Sequence, residues 1–432
     1  MDISSYRILY DEEQAGIPYH LPKEEYATHT MLDALYYYVC KKFPVAQINR
    51  ALAQSIAFEI HGIYPAHAES ILTHREYSNP REIPFVNNPR KKPFNFVRPR
   101  FFLAANPNGE ERFVIAVTPG ADYVAHYAEM LRYLLNSKGI DPDQALKSIR
   151  YPKVEKEIAH WTGLDTRFVC EGDIVVIGYV DELQRQIESH YGLPIVSEFE
   201  NEYYTSKCYE TPERRKLNFL GVKFSFWGNI SVQLALRFCY LKAGSVLYVS
   251  KVGALSNPND LYKRIFVPSK FITAQKDQIV SRVSTLANYL IHANPALDSG
   301  AHVSVATVLE ETFSSRDIVV NEGALSIDNE VSQIANTIFN WNRQNTDMKV
   351  RFGCMHFATD YLHQESDGTQ NVFFNLSNNR SSDAIKKKAL MLAEIGNVFF
   401  RSLGFGSGDI NESKNNENNS AMGRDEPPEQ NW

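Results

Sequence analysis

At 432 residues the chain is longer than one ordinary core supports and suits two domains. Its 44% hydrophobic and 22% charged residues exclude a fibrous or wholly disordered chain and fit a soluble globular one. The net charge of −6 argues against general nucleic-acid binding, which shows as a basic excess, so nucleic acid is not an expected partner.

The opening "MDISSYRILYDEEQ" has neither a basic n-region nor an apolar h-region, so no secretory signal is expected. No apolar run approaches the ~20 residues that span a bilayer, so no membrane association is expected. The five cysteines, Cys40, Cys170, Cys208, Cys239 and Cys354, are scattered without a CxxC. That pattern suggests reduced thiols in the cytoplasm and no structural metal.

Residues 1–160 read as an α/β domain of unassigned role. "HTMLDALYYYVCKKF" and "INRALAQSIAFEIHGIY" carry helical apolar spacing, and "ADYVAHYAEMLRYLLNSKG" is a further helix. In the last of these, Asp122 and His126 follow a Pro-Gly turn, and His126 reads as a satisfied surface histidine. Between them, "NPRKKPFNFVRPRFF" gathers Arg90, Lys91, Lys92, Arg98 and Arg100 among Phe94, Phe96, Phe101 and Phe102. Such a segment either contacts phosphates and stacks on bases or is a solvated charged loop. Arg98 and Arg100 are its candidate phosphate ligands.

The composition turns polar around 150–165, which suggests a seam between domains. From 166 onward β-rich runs alternate with amphipathic helices: "DIVVIGYV" and "DELQRQIESHYG", then "FLGVKFSFWG" and "NISVQLALRFCYLKAG", then "SVLYVSKVGAL". "RIFVPSKFI", "AHVSVATVLEE", "ALSID" with its helix, "KVRFGCMHFATDYL" and a final helix "SDAIKKKALMLAEIGNVFFRSLG" follow. This rhythm predicts a mixed α/β fold with a largely parallel central sheet flanked by helices. Ligands in such sheets bind beyond the carboxyl ends of the strands. Residues 406–432 are acidic, rich in Asn, Ser and Gly, and expected to be disordered.

Three strand ends stand out. In "SIDNEVSQIA", Asp328 and Asn329 cap a helix or, with Glu330, grip a hydroxylated ligand. In "FGCMHFATDYL" the apolar run stops at Thr359-Asp360. An acid at the tip of a buried strand has its pKa raised toward that of a general acid, although an Asp also starts turns. In "VSKVGAL", Gly253 admits a close backbone approach and Lys251 adds positive charge, unless that lysine only reaches for solvent.

Taken in order, "VVIGYVDE", "WGNISVQLA", "VSKVGAL", "SIDNE" and "HFATDYL" resemble the nucleoside phosphorylase and nucleosidase superfamily over residues 166–405. The resemblance implies cleavage of the N-glycosidic bond of a purine nucleoside or nucleotide. Asp360 would act on the base, oriented by Thr359, and Glu330 would hold the ribose hydroxyls, with Asn329 where the family has Met. Gly178 and Gly253 would border the ligand, Asp328 would stand beside it, and Thr307 or Phe313 would lie near it. Lys251 would approach the attacking species as a phosphate contact, and Glu182 would activate water. The attacking species therefore stays open between water and inorganic phosphate as a co-substrate, and no cofactor is implied. A homo-oligomer is implied as well. The layout is similar to that of AMP nucleosidase, which joins an N-terminal α/β domain to this catalytic fold. Asn329, Tyr248 and Lys251 depart from the family pattern, so a non-catalytic nucleoside-binding sensor or scaffold is the alternative.

Overall fold

Two mixed sheets follow one another along the chain in the computed structural model, which describes residues 13–15, 26, 28–31, 34–85, 94–152, 162–275, 278–283, 288–293, 295–363 and 381–405. The first holds β1 (Glu13–Ala15), β2 (Ala57–Gly62), β3 (Ser78–Ile83), β4 (Arg100–Ala105), β5 (Glu111–Val117) and β6 (Leu146–Pro152), in the order β1-β6-β2-β5-β4-β3. Its helices are α1 (Ala34–Cys40), α2 (Val45–Ala53), α3 (Ala68–His74), α4 (Ala121–Asn136) and the single turn α5 (Pro142–Ala145). Successive residues of β5 enter opposite cores. Phe113, Ile115 and Val117 pack with α1 and α4, whereas Val114 and Ala116 join a cluster reaching into the second sheet. The helical spacing expected through residue 64 ends earlier. Ser55 adopts a positive φ of 57°, and Phe58 and Ile60 then alternate with polar Glu59 and His61 along β2.

The second sheet contains β7 (Ile174–Gly178), β8 (Ile195–Glu200), β9 (Tyr204–Glu210), β10 (Lys216–Val222), β11 (Ser245–Ala254), β12 (Ile265–Phe266), β13 (Lys270–Gln275), β14 (Gln278–Val283), β15 (Ala301–Ser304), β16 (Ala324–Asp328) and β17 (Arg351–Tyr361). Around it lie α6 (Val180–Gln186), α7 (Asn229–Tyr240), α8 (Tyr289–Ala293), α9 (Phe313–Asn321), α10 (Val331–Gln344) and α11 (Ser382–Ser402). The central run β10-β7-β11-β17 and the run β13-β15-β16 are parallel, matching the expected class. Antiparallel β8, β9, β12 and β14 extend the edges, and the β11–β16 contact is also antiparallel.

The site is placed by β11. β17 pairs with it along its length, while the other edge is divided. β7 takes Ser245–Val249, and β16 takes Gly253–Ala254. Ser250, Lys251 and Val252 pair with neither, and the register with β17 slips between Val252 and Gly253. β7 leaves at Gly178, whose φ is +96° and where a Cβ would overlap the Val249 carbonyl. The N–H of Tyr179 then donates to that same carbonyl at 2.8 Å.

The two sheets meet tightly. The Asp122 carboxylate at the start of α4 accepts the Asn229 N–H at 2.7 Å, at the first turn of α7. A Cβ on Gly228 would strike Asp122, and one on Gly120 would strike Ile230. Residues 28–31 reach the second unit too, with the Thr30 N–H donating to the Glu311 carbonyl at 2.9 Å. Arg90, Lys91, Lys92 and the tail 406–432 lie outside the described residues. Among the described residues no helix is long and apolar enough to cross a membrane.

Replacing Gly178 with Ala combines a left-handed backbone penalty with overlap on a fixed carbonyl. Urea unfolding is expected to show a loss of about 2–4 kcal/mol in the G178A variant.

Candidate active site

A cavity of about 360 Å³ opens where β11 loses its pairing. Its floor comes from strand ends of the second sheet: Ser250 to Gly253 of β11, Asp328 of β16 with Asn329 and Glu330, and Thr359 with Asp360 of β17. Its opposite wall comes from the first unit, through Tyr38, Lys42, Arg98, Tyr123, His126 and Tyr127. Asp360 pairs with Gly253 in the ladder, so Glu330, Asp360 and Lys251 converge on one crevice.

The three residues that open α10 divide the two tasks open to them. Asp328 is the cap. Its carboxylate accepts the N–H of Glu330 at 3.1 Å and of Val331 at 3.2 Å, and it bonds the His302 ring at 2.9 Å and the Ser304 hydroxyl. Burial pushes its pKa upward, but the charge and hydrogen bond of His302, the charge of His356 and the Ser304 bond together hold it below the ordinary carboxylate value. Asn329 donates from Nδ2 to the Val305 carbonyl at 3.0 Å, which fixes it at the rim. Glu330 makes no capping bond and lines the cavity instead. Burial and then the neighbouring Asp328 charge raise its pKa well above the usual value, against the pull of the Asn329 N–H and Lys251. Glu330 is thus held toward its neutral form, in which a carboxyl offers one O–H donor beside its carbonyl acceptor.

Asp360 is shifted the same way. Burial raises its pKa, while Lys251 and the Thr359 hydroxyl, which donates to it at 2.7 Å, counter part of the rise. Beside it lies Glu311, raised well above the usual value by burial and then by Asp360, Asp328 and Glu310. Glu311 ends the run "AHVSVATVLEE", and adjacent Glu310 and Glu311 after its apolar residues were the signal that could have found it.

The wall from the first unit is aromatic. Trp227 packs edge-on against His126 at 4.7 Å and against Tyr123 at 5.3 Å. His126 is buried rather than on the surface: α4 presses it under the second unit, where Nδ1 shares a 2.6 Å hydrogen bond with the Thr307 hydroxyl. Burial, then the Lys42 charge, keeps its pKa well below the usual value, so the ring is neutral. Arg98 sits on a loop tied to the end of β10, with the N–H of Asn95 donating to Val222 O at 2.7 Å and those of Phe96 and Val97 to Lys223 O at 2.9 Å.

The remaining candidates fall outside the residues lining the cavity. Helix α6 starts directly after β7, so Glu182 lies in its first turn and pairs with Arg185 one turn on. Thr307 is occupied by His126 and by the N–H of Leu309, and Phe313 begins α9. Gly178 acts through backbone geometry at the mouth of the split. Arg100 is held by Glu82 and the Pro65 carbonyl.

No family model matches the chain. It is 27% identical over 378 residues to the oxidoreductase cns1 of Cordyceps militaris, a match covering 85% of this chain and 48% of that protein. The chain thus spans about half the length of that relative. Among solved structures, it is similar to futalosine hydrolase of Helicobacter pylori at 9% identity, covering 54% of this chain and 98% of that one, with a TM-score of 0.38. Helicobacter pylori MTAN gives 10% identity, 54% and 99% coverage and a TM-score of 0.38. Uridine phosphorylase of Vibrio fischeri gives 13% identity, 55% and 93% coverage and a TM-score of 0.39.

Asp328 carries a stability test. The Asp328→Asn change leaves two N–H donors and a hydroxyl facing an amide, with an expected loss of about 2–4 kcal/mol near neutral pH in urea unfolding. Because folding lowers this pKa, the ionised form stabilises fully above the unfolded value and ceases to do so as pH falls through the folded value. The gap between wild type and variant should therefore narrow in acid.

Proposed function

We propose that the protein cleaves the N-glycosidic bond of a purine nucleoside or nucleotide, with water or inorganic phosphate as the attacking species. The observation that carries this reading is the meeting of Asp360, Glu330 and Lys251 in one crevice with an aromatic wall. Breaking such a bond develops positive charge on the sugar and negative charge on the departing base. A carboxyl whose pKa burial raises, as at Asp360, is suited to give a proton to the base nitrogen as the bond lengthens. Glu330 binds the sugar hydroxyls by donating to one oxygen and accepting from another. Trp227, Tyr123 and Tyr127 offer faces for a flat ring. Lys251, between the acids, draws an anionic nucleophile toward the sugar.

The test is incubation of the full chain with adenosine, inosine, guanosine and their monophosphates, with and without phosphate, read by liquid chromatography with mass detection. Free base, accompanied by ribose or a ribose phosphate, is the expected product. Stabilisation by a nucleoside with no base released would instead mark a binding protein. A nucleoside recovered intact but oxidised would point to the chemistry named for the Cordyceps militaris relative and would sink the proposal.

Asp360→Asn should lower base release by roughly 10²- to 10⁴-fold while the urea unfolding curve stays close to wild type. In the wild type, kcat/KM should fall as pH rises through the raised Asp360 pKa, because the proton to be donated is then lost. That limb should be missing from the residual activity of the variant.

A further inference from the structure

We infer that Lys42 and Arg98, which line the cavity from the first unit together with Lys251 of β11, form a subsite for a phosphate dianion. The inference deepens the reading above and rests on it for the nature of the ligand. Lys42 follows α1 in the turn at residues 41–43, and its ammonium stands 4.8 Å from the centre of the Tyr38 ring. Arg98 uses Nη1 on the carbonyls of Asn95 and Val97 and the Asn95 side chain, all neutral. Among the described residues neither cation is paired with a carboxylate. The acids of the cavity come instead from the ends of β16 and β17 and from Glu311.

Gathering Arg98, Lys251 and Lys42 in one poorly solvated space is unfavourable, and Lys42 bears the cost. Burial, then the charges of Arg98 and Lys251, pull its pKa down to about 8. A doubly charged tetrahedral anion relieves that repulsion and matches the donors, an Arg fork beside a Lys point charge. The anchoring of the Arg98 loop to β10 holds the guanidinium in place before any ligand arrives. The phosphate could belong to a nucleotide or be inorganic phosphate bound beside a nucleoside. The chemistry of the subsite is the same for both.

Isothermal titration of the full chain with adenosine, adenosine 5′-monophosphate and inorganic phosphate separates these sources. A monophosphate at least about tenfold tighter than the nucleoside, displaced by phosphate, assigns the subsite to a phosphate ester. Phosphate binding together with adenosine, with no gain for the monophosphate, assigns it to a co-substrate. In either case Lys42→Met and Arg98→Gln should each weaken the phosphate-bearing ligand by about tenfold or more and leave adenosine affinity within about threefold. Arg100→Gln, at a residue held by Glu82, should change neither. No gain from any phosphate-bearing ligand, or affinities untouched in both K42M and R98Q, overturns the inference. Binding is read without turnover, so a protein that binds the monophosphate and releases no base removes the catalytic reading and leaves the subsite standing. Cleavage of nucleosides with no response to phosphate does the reverse.

Discussion

One edge of β11 cannot serve two partners at the same residues, and the cavity exists because of that constraint. β7 holds the strand as far as Val249 and β16 takes it up again at Gly253, so the three residues between them line the crevice. A buried strand with unpaired backbone is costly unless a side chain, water or ligand satisfies it. The polar residues Ser250 and Lys251 fall within this gap, inside an otherwise apolar strand. The tips of β16 and β17 bring their acids to the same gap, since both strands pair with β11 at its carboxyl end.

Four carboxyl groups then share one poorly solvated space: Asp328, Glu330, Asp360 and Glu311. Full ionisation of all four would cost far more than the fold could offset. The structure resolves this by giving nearly every donor to Asp328, which stays charged as the helix cap. Burial raises the pKa of Glu330, Asp360 and Glu311, neighbouring acids add to the rise at Glu330 and Glu311, and Lys251 opposes it at Glu330 and Asp360. The same economy of donors that stabilises α10 is what leaves acids able to give up a proton beside it.

Much of this was legible in the sequence. The alternation of β-rich runs and amphipathic helices from 166 onward predicted the parallel centre of the sheet, and strand-end reasoning led to Lys251, Gly253, Glu330 and Asp360. Edge strands were harder. β8 is solvent-facing, and β9 intersperses its buried Tyr204, Ser206, Cys208 and Tyr209 with polar residues, so the hairpin left no strong pattern in "IVSEFENEYYTSKCYE". Helical and strand periods overlapped at 48–64, where only the backbone turn at Ser55 separates α2 from β2. Lys42, His126, Trp227 and Glu311 were not recognised because their role depends on two units meeting, and no local spacing records that. Glu182 was placed by analogy of order along the chain, and the start of α6 soon after Gly178 sets it in that helix's first turn, beside rather than among the residues lining the cavity.

The junction built by Asp122, Gly120 and Gly228 bears on how such a cavity behaves. Two of these positions have no room for even a methyl group, and the third forms a short bond to the first turn of α7. With so little slack at the seam, the width of the cleft is set by the docking of one unit on the other rather than by loops at its mouth. Substitutions far from any ligand, along that seam, would then alter affinity by changing the span between the cationic wall and the acidic floor.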